Sequence, residues 1–175
     1  AVDDAGLAEA WNEWLRQRFE PLLGEAFCRV HGAVGSMRIG EILRADRAID
    51  EGLDGMERQR SLASAQAFLE GREKVRHMPQ LVRLTEAIER AEATGHVTTL
   101  FAMQAGLYHL PRLAALVSYA YFEWLGGVMA AGGECDTDVA SIETRYPRTF
   151  DSVRRLLRRE TSSEDGGQGS IFSVD

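Results

Sequence analysis

The sequence predicts an all-α protein, a single-domain bundle of about seven or eight helices, and three observations support this fold class. Apolar residues recur at spacings of three and four along most of the chain, which is the period of an amphipathic helix. No stretch shows the sustained alternation, flanked by hairpin turns, that predicts strands. The chain has 175 residues, of which 45% are hydrophobic and 27% charged, and these values are ordinary for one soluble domain.

The first half of the chain predicts four amphipathic helices. The first is interrupted by Pro21, where it either kinks or restarts. The second follows a turn at Gly35 and Ser36, and the third covers residues 57–70, with Gln59, Arg60, Ser64 and Gln66 on a polar face. Pro79 can open the fourth. The apolar stripes that define these helices include Leu7, Trp11, Leu15, Phe19, Ile39, Ile42, Ile49, Leu62, Ala65, Phe68, Leu81 and Ile88.

Residues 96–131 predict two helices that are apolar on nearly every side. The link between them, Leu110-Pro111, is so short that the two must form an antiparallel hairpin. We expect this hairpin to be central in the bundle or pressed against a partner. Asp136 or Thr137 can cap a further helix, and a last amphipathic segment surrounds residues 150–157. The domain is expected to span residues 1–160, with a flexible tail over 161–175.

Composition narrows the class of function. Lys and Arg number 20 against 27 Asp and Glu, a net charge of -7, which disfavours nucleic acid and anionic membrane surfaces as partners. Two cysteines, Cys28 and Cys135, cannot form a disulfide framework and suggest a reducing compartment. No apolar run approaches the roughly 20 residues needed to span a bilayer, and the first residues lack the features of a signal peptide. A cytoplasmic location is expected.

The sequence predicts no catalytic residue, no metal ligands and no cofactor. No Walker sequence, nucleotide-binding glycine motif or serine-nucleophile motif is present. The four histidines, His31, His77, His96 and His109, lack the spacing of zinc or di-iron ligands. A metal-dependent enzyme built on the pairs Glu73/His77 and Glu92/His96 remains an alternative, because residues four apart share one helix face.

Two features are candidates for binding a partner protein. The aromatic run from Tyr119 to Trp124 provides either core packing or an interface, in which Phe122 and Trp124 would be anchors. The basic block over residues 154–159 suits a helix C-terminus or a docking patch, in which Arg155 and Arg158 would make electrostatic contacts. Phe172 in the tail would be a further contact.

The order of motifs along the hairpin resembles that of the urease accessory protein UreF family. The resemblance covers roughly residues 8–132, and Gly132 to Cys135 stand where the family has a Pro-Leu-Gly-Gln-like turn, so the chain would be a divergent or truncated relative. It implies an all-α dimeric chaperone, not itself an enzyme, that bridges a nickel-delivering GTPase and a second accessory protein during nickel insertion into urease. The residues that carry it are His96, Gly106-Leu107, Leu110-Pro111, Ala114-Ala115, Tyr119, Val128 to Ala131, and, upstream, Asp46, Glu57 to Ser61 and Ser64 to Leu69.

The lead hypothesis is therefore a cytoplasmic accessory protein that binds other proteins and forms a homodimer. The alternative is a small-molecule sensor or cofactor-using enzyme with a pocket inside the bundle. Tyr108, His109, Tyr119 and Trp124 would line that pocket.

Overall fold

The computed structural model describes residues 4–70, 78–130 and 148–165. This part of the chain forms seven helices and no strand, which confirms the predicted all-α class. Helix α1 is continuous over residues 4–34 and consists of Asp4–Trp14, a π-helical segment Leu15–Leu23, and Gly24–Val34. The others are α2 (Ile39–Gly52), α3 (Gly55–Glu70), α4 (Pro79–Glu89), α5 (Val97–Leu107), α6 (Arg112–Ala130) and α7 (Arg148–Asp165).

The chain passes through Pro21 without a break. Pro21 lies inside the π-helical segment, whose wider turns leave room for a ring that has no N–H to donate to the preceding turn. The helix does not restart at Pro21, which was one of the two alternatives drawn from the sequence, because the backbone stays helical from Leu15 to Leu23 and beyond. This continuity keeps Leu15, Phe19 and Leu23 on the buried side of one long helix.

The predicted hairpin is present as α5 and α6, and α5 lies at the centre of the fold. Eight of its eleven residues are buried, and it packs along the second half of α1. Gly106 permits this close approach, because a Cβ atom there would lie 3.1 Å from the main-chain oxygen of His31. At the corner His109 has a φ of 53°, and the imidazole Nε2 of His31 lies 3.1 Å from the carbonyl oxygen of Leu110.

Helix α6 is, within the described residues, long and apolar enough to cross a membrane by length and composition alone. Core helices of soluble proteins meet the same criterion. Helix α7 continues to Asp165, five residues beyond the predicted end of the domain, because no glycine or proline interrupts the chain before Gly166. The helix predicted after Asp136 or Thr137 lies outside the described residues, as do the pair Glu73/His77, Cys135 and residues 166–175.

Candidate functional site

A buried carboxylate, Asp46 on α2, organises the start of α5. Its Oδ2 accepts the backbone N–H of Thr94 at 2.7 Å and that of Gly95 at 2.9 Å. Its Oδ1 accepts the N–H of His96 at 2.9 Å and the hydroxyl of Thr99 at 2.7 Å. Asp46 is fully buried, so these four donors replace the water it loses. The negative charge also lies at the positive end of the α5 dipole.

His96 continues the polar network toward α3. Its Nε2 lies 3.0 Å from Oδ1 of Asp50, and its Nδ1 lies 3.1 Å from the hydroxyl of Ser61. An ionised carboxylate only accepts hydrogen bonds, so Nε2 carries a proton, and in the neutral imidazole Nδ1 then accepts from the hydroxyl of Ser61. Nε of Arg58 lies 2.7 Å from the same Asp50 oxygen, and the Ser61 oxygen accepts the N–H of Val97 at 3.3 Å. The network thus joins α2, α3 and α5.

Hydrogen bonds link Ser61, His96 and Asp50 in the order in which catalytic sites link a nucleophile, a base and an acid. Their burial, however, indicates a structural role. His96 is fully buried and Ser61 is 5% exposed. The cavity next to Ser61 has a volume of about 10 Å³, which is the room that one water molecule needs. Within the described residues the Ser61 hydroxyl is buried, and we assign these three residues to holding the helices together.

A second polar group lies between α5, α6 and α3. Tyr119 donates its hydroxyl proton to Oε1 of Glu123 at 2.9 Å, and the Tyr119 oxygen lies 2.6 Å from the hydroxyl of Thr98, which therefore donates. Arg60 reaches the other carboxylate oxygen of Glu123 at 3.5 Å. Arg60 belongs to the face of α3 that was predicted to be polar, and the structure places it half-buried against α6.

Burial controls the ionisation of this pair. Desolvation raises the pKa of Glu123 above its ordinary value, although the hydrogen bond from Tyr119 and the charge of Arg60 oppose the rise. Desolvation also raises the pKa of Tyr119 well above its ordinary value, and the neighbouring charge of Glu123 acts in the same direction. The phenol therefore stays protonated and remains the donor to Glu123.

We expect the free energy of unfolding to carry a pH signature from Glu123. Its folded pKa is raised above the unfolded value of about 4.3, so its contribution is fully present below that pH and falls as pH rises through the folded pKa. The measurement is urea denaturation of the wild type and Glu123→Gln between pH 4 and 8. The stability of the wild type relative to the variant should decline with pH, by about 1.4 kcal/mol per unit of pKa separation.

Glu86→Gln on α4 is the matched control, because that carboxylate is 53% exposed. Its stability difference from the wild type is the baseline against which the trend for Glu123→Gln is compared. If the stability of the wild type relative to Glu123→Gln rose with pH, the assigned direction of the Glu123 pKa shift would be wrong.

The outer face of α6 is the exposed side of this helix, and it carries no charge. Its exposed residues share a spacing of three or four and run about 22 Å along the helix. Phe122 is 38% exposed and Met129 is 64% exposed. The set consists of Ala114, Ser118, Phe122, Gly126 and Met129, and the last residue of the helix, Ala130, is exposed beside it. We call this set the α6 outer face.

An aromatic strip extends from the α6 outer face across α5 to α3. The ring of Phe122 lies 5.6 Å from that of Phe101, measured between centroids, and Phe101 lies 5.9 Å from Phe68. Both Phe101 and Phe68 are half-buried. The strip packs against one side of the Phe122 ring, and the exposed part of the ring adds to the apolar area of the α6 outer face.

The structure separates the two predicted aromatic anchors. Phe122 points outward, whereas Trp124 is half-buried and packs in a cluster with Trp11, at 4.9 Å between ring centroids, and Trp14, at 6.0 Å. Both positions lie in an apolar helix, and only the packing of α6 on its neighbours decides which side faces outward. Phe122 thus lies on the α6 outer face, and Trp124 lies away from it.

The predicted basic contacts lie on α7, away from Phe122. Arg155 donates to Oε1 of the buried Glu20 at 2.7 Å, and Arg159 lies 3.8 Å from Oε2 of the same carboxylate. Arg158 is exposed on α7. Glu20 was not singled out from the sequence, although an acidic residue within the apolar stripe of α1 was an available signal. Phe172 lies outside the described residues.

The residues proposed for an internal pocket do not come together. Tyr108 and His109 are exposed at the corner between α5 and α6, while Tyr119 is buried and hydrogen-bonded. In the described part of the chain, no group of three or more His, Cys, Asp or Glu side chains is arranged to hold a metal ion. Glu92 and His96 do not form a pair of metal ligands, because Glu92 is exposed and bonded to Arg90, whereas His96 is buried.

Comparisons with protein-family models, with curated proteins and with solved structures give no match to this chain.

Proposed function

We propose that this protein is a helical accessory protein that acts by binding other proteins, beginning with a second copy of itself. The observation that carries the proposal is the α6 outer face, an uncharged surface with the ring of Phe122 near its middle. Interfaces are enriched in aromatic residues and methionine and depleted in charged residues at their centres. The polar network beneath this face serves packing and provides no exposed reactive group.

The α6 outer face suits symmetric self-association. Ser118 and Gly126 lie four residues before and after Phe122, and both are small. In a two-fold arrangement of antiparallel helices, Phe122 of each copy can pack over a small residue of the other. Because the α6 outer face is uncharged, two copies can meet there without bringing like charges together, although each chain carries a net charge of -7.

The resemblance to UreF supports a finer proposal. The dimer would act in the cytoplasm as a chaperone that bridges a nickel-delivering GTPase and a second accessory protein, and so helps load nickel into urease. The protein would supply binding surfaces to this assembly, and the GTPase would supply the chemistry of nucleotide hydrolysis.

The test is Phe122→Glu, with Val82→Glu on α4 as matched control because Val82 is also 38% exposed. Light scattering should give the wild type and Val82→Glu twice the chain mass of 19.4 kDa, and Phe122→Glu the mass of the monomer, since each copy would bury a carboxylate without a partner in the apolar interface. Nickel content of urease co-expressed with the accessory proteins should fall with Phe122→Glu alone. A monomeric wild type at high concentration would refute the proposed dimer, and unchanged nickel content would refute the finer proposal.

A further inference from the structure

The cavity next to Ser61 is lined by residues of α1, α3 and α6 and has a volume of about 10 Å³. This is about the volume that one water molecule needs. Its walls combine apolar and polar side chains: Trp14, Leu23 and Leu53 are apolar, and Glu57, Arg60, Ser61 and Glu123 are polar. A buried water needs two to four polar partners, so the hydrogen bonds that the four polar side chains already make decide what this cavity can bind.

Ser61 has one acceptor position that its contacts with the described residues do not use. A serine hydroxyl has one donor and two acceptor positions. Its proton goes to Nδ1 of His96 at 3.1 Å, and its oxygen accepts the N–H of Val97 at 3.3 Å. Ser61 is only 5% exposed, so its second acceptor position depends on a partner inside the protein.

Glu123 has fewer donors around it than a buried carboxylate needs. Tyr119 donates to its Oε1 at 2.9 Å, and Arg60 reaches its Oε2 at 3.5 Å. The second contact is long, because charge-assisted N–H to carboxylate bonds usually measure about 2.7–2.9 Å. Glu123 is 7% exposed, and a carboxylate has acceptor positions for about four hydrogen bonds. Desolvation is the largest cause of its raised pKa, as expected where hydration is only partly replaced.

Arg60 provides donors at the same cavity. A guanidinium group has five N–H donors, and Glu123 takes one of them at 3.5 Å. Gly127 on α6 leaves room for the group, since a Cβ atom there would lie 3.1 Å from Nη1 of Arg60. The guanidinium group therefore lies against α6 while it lines the cavity.

Glu57, the fourth polar residue, depends less on a ligand in the cavity. Its side chain is 22% exposed and lies 3.4 Å from Nε of Arg18, and it accepts the N–H of Asp54 at 3.2 Å. A ligand here would therefore serve Ser61 and Glu123 first. It must be of the size of one heavy atom, donate two hydrogen bonds and accept one. Water fits this description, whereas a metal ion donates none and would be repelled by the guanidinium group.

We propose that the cavity binds one structural water molecule, which donates to Ser61 and Glu123 and accepts from Arg60. Three hydrogen bonds are the usual number for a buried water. This water would join the polar network around His96 to the polar group around Tyr119, which none of the hydrogen bonds described above connects. It would thereby couple α3 and α6 through their buried side chains. The inference does not rest on the proposed function, because it concerns the interior of one chain.

The first test is a crystal structure of the full chain at a resolution that shows ordered water. We expect one density peak about 2.6–3.2 Å from Oγ of Ser61, a carboxylate oxygen of Glu123 and a nitrogen of Arg60. A cavity without such a peak would overturn the proposal. A peak at about 2.0–2.6 Å from the oxygen atoms would also overturn it, because those distances would assign the site to a metal ion.

The second test is a double-mutant cycle in solution. Ser61→Ala and Glu123→Leu each remove one partner of the water, and urea denaturation gives the unfolding equilibrium constant of each variant and of the double variant. Because both residues bind the same water, the combined change should differ at least about twofold from the product of the single changes. Ser61→Ala with Glu86→Leu is the matched control pair, since Glu86 lies on α4 and is 53% exposed.

Independent effects of Ser61→Ala and Glu123→Leu would refute the bridging role, and so would equal coupling in the control pair. If a variant of the cycle does not fold, the crystal structure of the wild type still decides whether the water is bound. Neither result depends on the mass of the protein in solution, so this inference and the proposed dimer can fail separately.

Discussion

Replacing Asp46 with alanine is expected to lower the free energy of unfolding by about 3–5 kcal/mol. The variant leaves three backbone N–H groups and the hydroxyl of Thr99 without the acceptor that holds them, inside a fully buried site. Each buried donor without an acceptor costs about 1–3 kcal/mol. The site is the first turn of the central helix α5, so the loss is not confined to an end of the fold. Urea denaturation followed by circular dichroism measures it.

Asp54→Ala is the control, because Asp54 also caps a helix but is exposed. Its Oδ1 accepts the N–H of Met56 at 3.0 Å and that of Glu57 at 2.9 Å at the start of α3, and the loss of an exposed cap costs about 1 kcal/mol. Asp46→Asn should fall between the two, since one amide oxygen can still accept. If Asp46→Ala lost no more stability than Asp54→Ala, the organising role of Asp46 would be wrong.

The hairpin of α5 and α6 could be predicted from the sequence because its signals are local. A continuous apolar pattern fixes the two helices, and Leu110-Pro111 fixes the short link, so the predicted range of 96–131 agrees with Val97–Leu107 and Arg112–Ala130. The tight corner needs one residue in the left-handed region, and His109 takes that role. Nothing in the local sequence identifies His109 for this role, because its conformation follows from the packing of the two helices.

The role of Asp46 could have been predicted but was not. It lies four residues after Ile42 and three before Ile49, on the buried stripe of α2. An acidic residue in a core position indicates a cap or a buried pair, since a carboxylate is not buried without partners. Its partners, Thr94 to His96 and Thr99, lie about fifty residues away, so the sequence could not show which groups it satisfies.

The outward side of α6 could not be predicted. The helix is apolar on nearly every side, so the sequence period does not show whether Tyr119, Phe122 or Trp124 faces outward. The structure distinguishes them: Tyr119 is fully buried, Trp124 is half-buried, and Phe122 is exposed. Glu123 is the acidic residue of this helix, and it marks the inner side, because its carboxylate is buried against Tyr119 and Arg60. A charged residue on an apolar helix is usually assigned to the solvent side, which would be wrong here.

An aromatic cluster at the N-terminal end of α1 joins three helices. Trp11 is fully buried, and its ring centroid lies 5.2 Å from that of Trp14 and 5.8 Å from that of Tyr121 on α6. Its indole N–H donates to the hydroxyl of Thr149 on α7 at 3.0 Å. The side chain of Trp11 therefore links α7 to α1.

Trp11→Ala is expected to cost about 3–5 kcal/mol, because it removes the largest fully buried side chain and leaves a cavity between α1, α6 and α7. Trp11→Phe keeps much of the ring packing but loses the hydrogen bond to Thr149. The loss of this bond should lower the free energy of unfolding by about 1–2 kcal/mol. Hydrogen exchange locates the effect: amides of α7 should lose protection in Trp11→Ala more than amides of α5, which is held by Asp46. Equal loss of protection in α5 and α7 would show that Trp11 stabilises the bundle as a whole and that α7 is not held chiefly through Trp11.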